Sequence, residues 1–451
     1  MAIEGITLFP HQIRGAAFLT EEKGTKGLFF GMGTGKSYTA LEGARLLGAG
    51  NRIVIIAPPI ALPMWQNEST AYLIDSDPFC QILKSGTTKI VPATTIVVVS
   101  YAIATKRAAE LRDWLQGGIL ICDESHALKS VKAKRTIAII GRGGIASGAG
   151  YAWMLTGTPI TRWNDDIYPF LARADIDGLK KMCGGATNER FQLKFTVRQR
   201  KQFGRGPVHY VVVGNQNTDV LADWVYSKHA MRVDLEEVFK SMPPLTKSRY
   251  VIDLDGSPEF NAMMRDVDKL SMSDIKAKLE AKEPALASIR RELGLAKVKA
   301  AAIEIAERVE SGQRILVGAW HTDVIDALAA EMKGRKYTVA TLDGRSLFTR
   351  KEAMTEAWNK GEIQVFIGQI AAMGVSLNLQ QGGNQIIVVE EDWSPSVMDQ
   401  LYARLWRFGQ EKHVHVDTLT STSKLDEALH NISHAKEREH HKFNEIGRKA
   451  G

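Results

Sequence analysis

Ten short runs of β-branched and aliphatic residues, five in each half of the chain, limit what this sequence can fold into. In the first half they are "GLFFG" (27–31), "RIVIIAP" (52–58), "TIVVVSY" (95–101), "GILICDE" (118–124) and "YAWMLTG" (151–157). In the second half they are "QRILVGAW" (313–320), "YTVATLDG" (337–344), "VFIGQI" (365–370), "NQIIVVEE" (384–391) and "HVHVDTL" (413–419). Each has the length of a buried strand, and stretches of helical spacing such as 36–48 and 104–115 lie between them. Strands alternating with helices make parallel sheets from βαβ units, so two such series predict an α/β protein with two lobes. A length of 451 residues fits two or three domains.

Residues 165–310 have a different character, mostly helical in pattern and rich in charge, with paired prolines in "MPPLTK" (242–247) marking a linker. The expected organisation is a first lobe at 1–235 with a helical protrusion at about 165–230. A second lobe at 236–451 is expected to carry a protrusion at about 250–300 and a C-terminal helical tail. Neither repeats nor low-complexity tracts are visible.

With 44% hydrophobic and 24% charged residues, and no apolar run near the roughly 18 residues of a membrane span, the composition is that of a globular protein. The N-terminus "MAIEGITLFPHQ" has neither the basic flank nor the apolar core of a signal peptide, so a cytosolic protein without a membrane partner is expected. Cys80, Cys122 and Cys183 show no paired spacing, which argues for reduced thiols rather than a disulfide framework or a structural zinc. His413 and His415 alternate with valines, and His434, His440 and His441 fall in a polar tail, so surface or packing roles are expected of all five. A net charge of +7 is compatible with a polyanionic partner without requiring one.

Two local patterns carry chemistry. "LFFGMGTGKSYTAL" (28–41) runs from a strand through Gly31, Gly33 and Gly35 into Lys36, Ser37 and a helix. Glycines let the backbone turn its N–H groups on an anion, and the helix N-terminus adds a favourable dipole. Lys36 then reaches the β- and γ-phosphates, and the Ser37 hydroxyl can hold Mg²⁺. Phe30 stands where the strict phosphate-loop pattern has its first glycine, but the strand-to-helix context is retained. In the second pattern, "GILICDESHALKS" (118–130), a buried strand ends in Asp123 and Glu124. Ligands of open parallel sheets bind at that end. Asp123 can hold Mg²⁺ through water there, while Glu124 orients or deprotonates the attacking water.

"GMGTGKS", "DESH" (123–126) and "LTGTPI" (155–160) resemble motifs I, II and III of superfamily two helicases, and the remaining motifs resemble those of its Swi/Snf-type DNA translocases. "LFPHQIRGAAFL" (8–19) is similar to that family's entry motif, "IIAPPIALPMWQNE" (55–68) with Trp65 and Glu68 to motif Ia, and "VVVSYAIA" (97–104) to motif Ic. "TNERFQLKF" (187–195) and "MRVDLEEVFKSMPP" (231–244) are similar to its protrusion and inter-lobe linker. Residues 368–410 follow motifs V and VI. The chain departs from the family at Phe30 and Gly31, at Ser125, and at Arg232, which stands alone where two arginines are common.

The resemblance implies two tandem RecA-like lobes with parallel sheets, helical protrusions around the linker, and ATP with Mg²⁺ between the lobes. It implies nucleotide contacts from Gln12, which would read adenine, and from Gly33, Thr34, Gly35, Lys36 and Ser37. Gly374 would permit close backbone approach. Asp123 and Ser37 would hold the metal, and Lys36, Asp123 and Glu124 would act with Gln400, Arg404 and Arg407. In "DQLYARLWRFGQ" (399–410), Leu401, Leu405 and Phe408 recur at helical spacing, so they are expected to bury one helix face and hold the two arginines, at i and i+3, on another. Implied DNA contacts, mostly to phosphates, come from Ser100, Lys129, Thr156, Thr158, Ser376 and Trp393. Arg198, Arg200 and Lys201 in "RQRKQFGRG" (198–206) are added on charge alone, with a solvated protrusion surface as the alternative.

The leading expectation is a monomeric, ATP-driven motor on duplex or branched DNA rather than RNA, in replication, repair or recombination, in a bacterial cell or a phage-infected host. The alternatives are a strand-separating helicase, a nucleotide-gated DNA clamp, and the motor subunit of a restriction or repair assembly.

Overall fold

The aliphatic runs become strands of two parallel sheets, one in each unit of the chain, all of them inner except the run at 337–344, which forms an edge. The computed structural model describes residues 7–48, 50–73, 79–202, 208–239, 242–280, 283–346, 348–373, 377–392 and 394–450. One unit comprises Met1–Val238 with Arg438–Gly451, the other Phe239–Glu437.

In the first unit, β1 (Gly24–Leu28), β2 (Ile53–Ala57), β3 (Cys80–Leu83), β4 (Ile96–Ser100), β5 (Ile119–Asp123) and β6 (Tyr151–Leu155) precede a hairpin of β7 (Thr196–Lys201) and β8 (His209–Asn215). The short β9 (Ala230–Met231) returns the chain to the sheet, whose order is β3-β4-β2-β5-β6-β1-β9, all parallel. Both β2 and β4 are buried at every residue, as expected of strands covered on two faces. Each such Ile or Val contributes roughly 1.5–3 kcal/mol by leaving water. Because β5, β6 and β1 are adjacent and parallel, the segments that leave their carboxyl ends emerge side by side.

The first protrusion is not wholly helical, contrary to expectation. Helices Tyr168–Ala174, Ile176–Cys183 and Asn188–Phe195 lead into the antiparallel β7–β8 hairpin, which carries a bulge between Val197 and Arg198. The charge-rich "TVRQRK" lacks the apolar alternation of a half-buried strand because most of its residues face solvent. Buried Asn164 closes the excursion: its Nδ2 donates to Phe195 O at 2.9 Å and Gln216 O at 3.1 Å.

The second unit contains β10 (Leu245–Val251), β11 (Ile315–Ala319), β12 (Val339–Leu342), β13 (Val365–Gln369), β14 (Gln385–Val388) and β15 (Val414–Thr420), in the parallel order β10-β15-β14-β11-β13-β12. The linker expected at 242–247 therefore ends inside an edge strand. Pro243 and Pro244 stop short of it, and β10 starts at Leu245 because every later residue has an N–H for the ladder. Helices Pro258–Asp268, Met272–Glu280 and the 27-residue Pro284–Glu310 form the second insertion. Phe260, Ile275, Leu293, Leu425 and Leu429 share its core.

The tail also differs from expectation. Helix Lys424–Ala450 begins in the second unit, but its residues from Arg438 onward group with the first. The reason is apolar: Phe443 is completely buried in the first unit's core, its ring 5.2 Å from that of Tyr226.

Candidate functional site

The chain leaving β1 keeps Phe29 and Phe30 buried and then turns through Gly33 and Gly35, at φ +75° and +82°. Glycine is required at 35 on two counts, since a Cβ would also fall 2.1 Å from Gln12 Nε2. Helix Pro10–Thr20 braces this loop: a ring nitrogen of His11 lies 2.8 Å from Thr34 O, and Gln12 Nε2 donates to Gly35 O at 3.3 Å. Gln12 Oε1 takes the Phe9 N–H at 2.8 Å, so both ends of its amide are engaged. Within the loop, the Thr34 hydroxyl donates to Gly31 O at 2.7 Å.

Lys36 is the first residue of helix Lys36–Leu46, whose cap residue Gly35 offers no side chain to the first-turn N–H groups. Its ammonium donates to the carbonyls of Phe30 and Gly31, each at 3.1 Å. Burial pulls the Lys36 pKa down while Glu124 and Asp123 push it up. A cation held this way, beside open helix N–H groups, suits a polyanion. Ser37 is half-buried on the same first turn.

At the end of β5 the carboxylates are held in place by their neighbours. Asp123 Oδ2 accepts from Trp65 Nε1 at 2.9 Å, and Oδ1 from the Glu124 N–H at 3.0 Å. The Tyr101 hydroxyl donates to the Asp123 carbonyl at 2.6 Å. Burial, reinforced by Glu124, raises the Asp123 pKa to about 6. Glu124 lies in left-handed backbone (φ +50°, ψ +48°), a conformation costing a non-glycine residue about 1 kcal/mol or more, and this turn re-aims its carboxylate. Glu124 Oε2 is 3.2 Å from His126 Nδ1, which is 3.1 Å from the Thr156 hydroxyl. The Thr158 N–H donates to that same hydroxyl at 3.1 Å, so the segments after β5 and β6 are joined through one histidine.

A third acid belongs to this group, although its motif alone assigns it no role. Glu68 lies one helical turn beyond Trp65 on helix Leu62–Tyr72, and its Oε2 is buried without a hydrogen-bond partner. Burial and then Asp123 push its pKa to about 7. The i,i+3 spacing of Trp65 and Glu68 was the available signal. Arg232 braces the loop from the other side: Nη1 donates to Phe29 O at 3.0 Å and Gly157 O at 2.9 Å, and Nη2 to Asp234 Oδ1 at 2.5 Å.

Gln400, Arg404 and Arg407 are gathered in the second unit. Helix Pro395–Tyr402 stops before both arginines, and residues 403–409 form turns, which corrects the single helix expected across 399–410. Leu401 and Leu405 are fully buried as anticipated, whereas Phe408 is 53% exposed and meets the Phe239 ring at 4.7 Å. The chain turns because the arginine side chains take up backbone carbonyls: Arg404 Nε donates to Gln400 O at 2.8 Å, and Nη1 of Arg404 and of Arg407 both donate to Leu377 O at 3.2 Å. Burial lowers the Arg407 pKa. Gly374, Ser376 and Trp393 lie outside the described residues.

Among the residues expected at DNA, Ser100 caps helix Tyr101–Lys106 by accepting the Ile103 N–H. Lys129 is exposed and donates to the Thr161 hydroxyl at 2.5 Å. Thr156 and Thr158 are only 1% and 2% exposed, which places them beneath the surface beside the carboxylates. Arg198 lies 5.1 Å from the Tyr210 ring centre and shares one hairpin face with Arg200, while Lys201 points to the other. None of the described helices is long and apolar enough to cross a membrane.

Residues 11–247 match the SNF2-related domain family, and residues 296–409 the helicase conserved C-terminal domain family. The chain is 24% identical over 441 residues to a SWI/SNF-related matrix-associated actin-dependent regulator of chromatin subfamily A-like protein 1 homolog of Caenorhabditis elegans, covering 94% of this chain and 60% of the relative. The corresponding Xenopus tropicalis protein is 23% identical, with coverages of 94% and 44%. The chain thus spans about half the length of these curated relatives. Among solved structures, a Sulfolobus solfataricus SWI2/SNF2 ATPase core in complex with dsDNA aligns with a TM-score of 0.44 at 18% identity, covering 92% of this chain and 88% of that one.

Proposed function

The chain belongs to the SNF2-related family of helicase superfamily two, and from that premise we propose that it is a DNA-stimulated ATPase that couples ATP hydrolysis to movement along duplex or branched DNA. The observation that carries this reading is the gathering of half-buried Lys36 with Asp123 and Glu124, within electrostatic reach of one another, at the carboxyl end of a parallel sheet.

The lining suits a nucleotide with its metal. Three acids, Glu68, Asp123 and Glu124, lie close together, and burial, reinforced by their neighbours' charge, raises the pKa of Glu68 and of Asp123, so a cation bound there would offset both costs. Ser37 and Asp123 would hold Mg²⁺, which when bound neutralises phosphate charge and favours ionisation of those acids. Lys36 and the N–H groups of the loop cradle the phosphates, and Gly33, Thr34 and Gly35 set its curve. Gln12 keeps that curve from the adenine side. Glu124 orients the attacking water and takes its proton, held towards it by the strained turn and by His126. Gln400, Arg404 and Arg407 supply the remaining polar and positive groups, a contribution that for an arginine finger is worth about 10³–10⁵ in rate. The chain of hydrogen bonds from His126 to Thr156 and Thr158 offers a path by which DNA alters hydrolysis. Ser100, Lys129, Ser376, Trp393, Arg198, Arg200 and Lys201 are the proposed DNA contacts, Gly374 allows close backbone approach, and the protein acts as a cytoplasmic monomer.

ATP turnover measured without nucleic acid and with single-stranded, duplex and forked DNA and RNA, beside triplex-displacement and unwinding assays, tests the reading. Stimulation by duplex or forked DNA together with triplex displacement is expected. No stimulation by any DNA refutes it.

A further inference from the structure

Exposed apolar side chains gather on the β7–β8 hairpin. Among the described residues, Val197, Val208, Tyr210, Val211 and Val213 are each 37–61% exposed, and all five lie on it. Single exposed apolar residues are ordinary, whereas five on one ribbon mark a contact surface. Neither strand contains an acid: "TVRQRK" brings Arg198, Arg200 and Lys201, and "HYVVVGN" brings His209 and neutral residues. The occupant that fits is therefore anionic and offers apolar faces of its own.

Tyr210 shows how such an occupant is held. It is 61% exposed, and alternation puts it on one face with Arg198, Arg200 and Val212. The Arg198 guanidinium lies over the ring, 5.1 Å from its centre. That side chain is itself only 13% exposed, with Glu189 Oε1 3.9 Å from its Nη1. Arg198 thus covers the inner side of the phenol ring and leaves the outer side to water. Cation and ring hold each other, so little side-chain freedom is lost when a flat group stacks on the outer side. Exposed Arg200 stands directly across from Tyr210 in the register, about 4.5–5.5 Å away between Cβ atoms.

We propose that this face of the hairpin binds an unpaired DNA strand, one base stacking on the outer side of Tyr210 while an adjoining phosphate meets Arg200. In a duplex each base face is already covered by its neighbours, so an aromatic platform serves only a strand that is not paired. A fork or junction with a single-stranded arm, rather than a blunt duplex, is then the structure the protein prefers. Naming that substrate deepens the proposed function and rests on it, whereas the arrangement of ring and cations does not. The root of the hairpin is fixed to the segment that leaves β6: the Asn164 side chain donates to Phe195 O and Gln216 O, and its N–H to Asn215 Oδ1 at 2.8 Å.

Fluorescence anisotropy of the full chain without nucleotide, on an oligodeoxythymidylate of about 12 nucleotides and on a blunt duplex, is the test. Tyr210→Ala should bind the strand about 5- to 100-fold more weakly than the parent and the duplex equally well. Tyr210→Phe, which keeps a ring, should match the parent, and Tyr210→Leu, apolar but without a π-face, should fall with Tyr210→Ala. Because the side chain is exposed, all three variants should keep the parent's melting temperature. Unaltered strand affinity in Tyr210→Ala, an equal loss on strand and duplex, or a Tyr210→Leu protein that binds like the parent overturns the proposal. If no DNA stimulates ATP turnover while Tyr210→Ala still loses the strand, the motor reading falls and the stacking site stands. Stimulation by DNA with strand affinity unaltered in Tyr210→Ala removes the site and keeps the motor.

Discussion

Glu124 and Glu68 owe their properties to different causes, and substitutions separate them. Glu124 is aimed by a left-handed backbone turn, so Glu124→Gln keeps the shape while removing the base. ATP binding by filter assay should be preserved and single-turnover hydrolysis should fall by about 10²–10⁴. Glu68 is withdrawn from water with Asp123 beside it, and its folded pKa of about 7 lies above the ordinary 4.5. The folded chain therefore binds that proton more tightly than the unfolded one, and stability present at low pH is lost as pH rises from about 4.5 to about 7. Glu68→Gln should melt like the parent at about pH 4 and be more stable at about pH 8, by on the order of 1–2 kcal/mol, in nucleotide-free scanning calorimetry. The Lys36 and Asp123–Glu124 segments were legible because glycine spacing and an acid pair at a strand end are local patterns. The Trp65 bond to Asp123 joins residues 58 positions apart, and nothing local announces such a contact.

At the level of elements, all ten aliphatic runs became strands, or nearly so, because a short apolar segment flanked by turns has few other ways to leave water. The first shifted to Gly24–Leu28, since Phe29 and Gly31 bond instead to Met231 and Val233 beyond it. Among the missed elements, β10 at a sheet edge and the β7–β8 hairpin lie where side chains face solvent and periodicity fades, while β3 and β9 are too short to show a pattern. That hairpin is also where a purely electrostatic contribution to DNA binding can be isolated from hydrolysis. Arg200→Ala with Lys201→Ala should leave DNA-free turnover unchanged and weaken duplex binding. For every phosphate that the variant no longer neutralises, the slope of log affinity against log salt should flatten by about 0.9, read by fluorescence anisotropy across a salt series. An unchanged slope would mean that the ribbon is only a solvated surface.

For the molecule as a whole, the two-lobed plan was legible, but the closing segment of the first unit was not. A 27-residue helix whose second half is mostly polar looks like a tail, and Phe443, fully buried against Tyr226, with Ile446 packed on the same core, shows where its end belongs. Phe443→Ala should destabilise the first unit by about 3–5 kcal/mol, with the second little affected. Urea unfolding with and without Mg–ADP assigns the transitions, because a ligand of one unit stabilises that unit alone, by about 2.7 kcal/mol at a hundred times its dissociation constant. The same feature sets an order of events during synthesis. Ribosomes add roughly 5–20 residues per second, so the sheet of the first unit emerges roughly 10–40 s before the segment that contains Phe443. For that interval the nascent lobe shows Tyr226 and its neighbours uncovered, a natural landing place for a chaperone, and synthesis of residues 438–450 removes it.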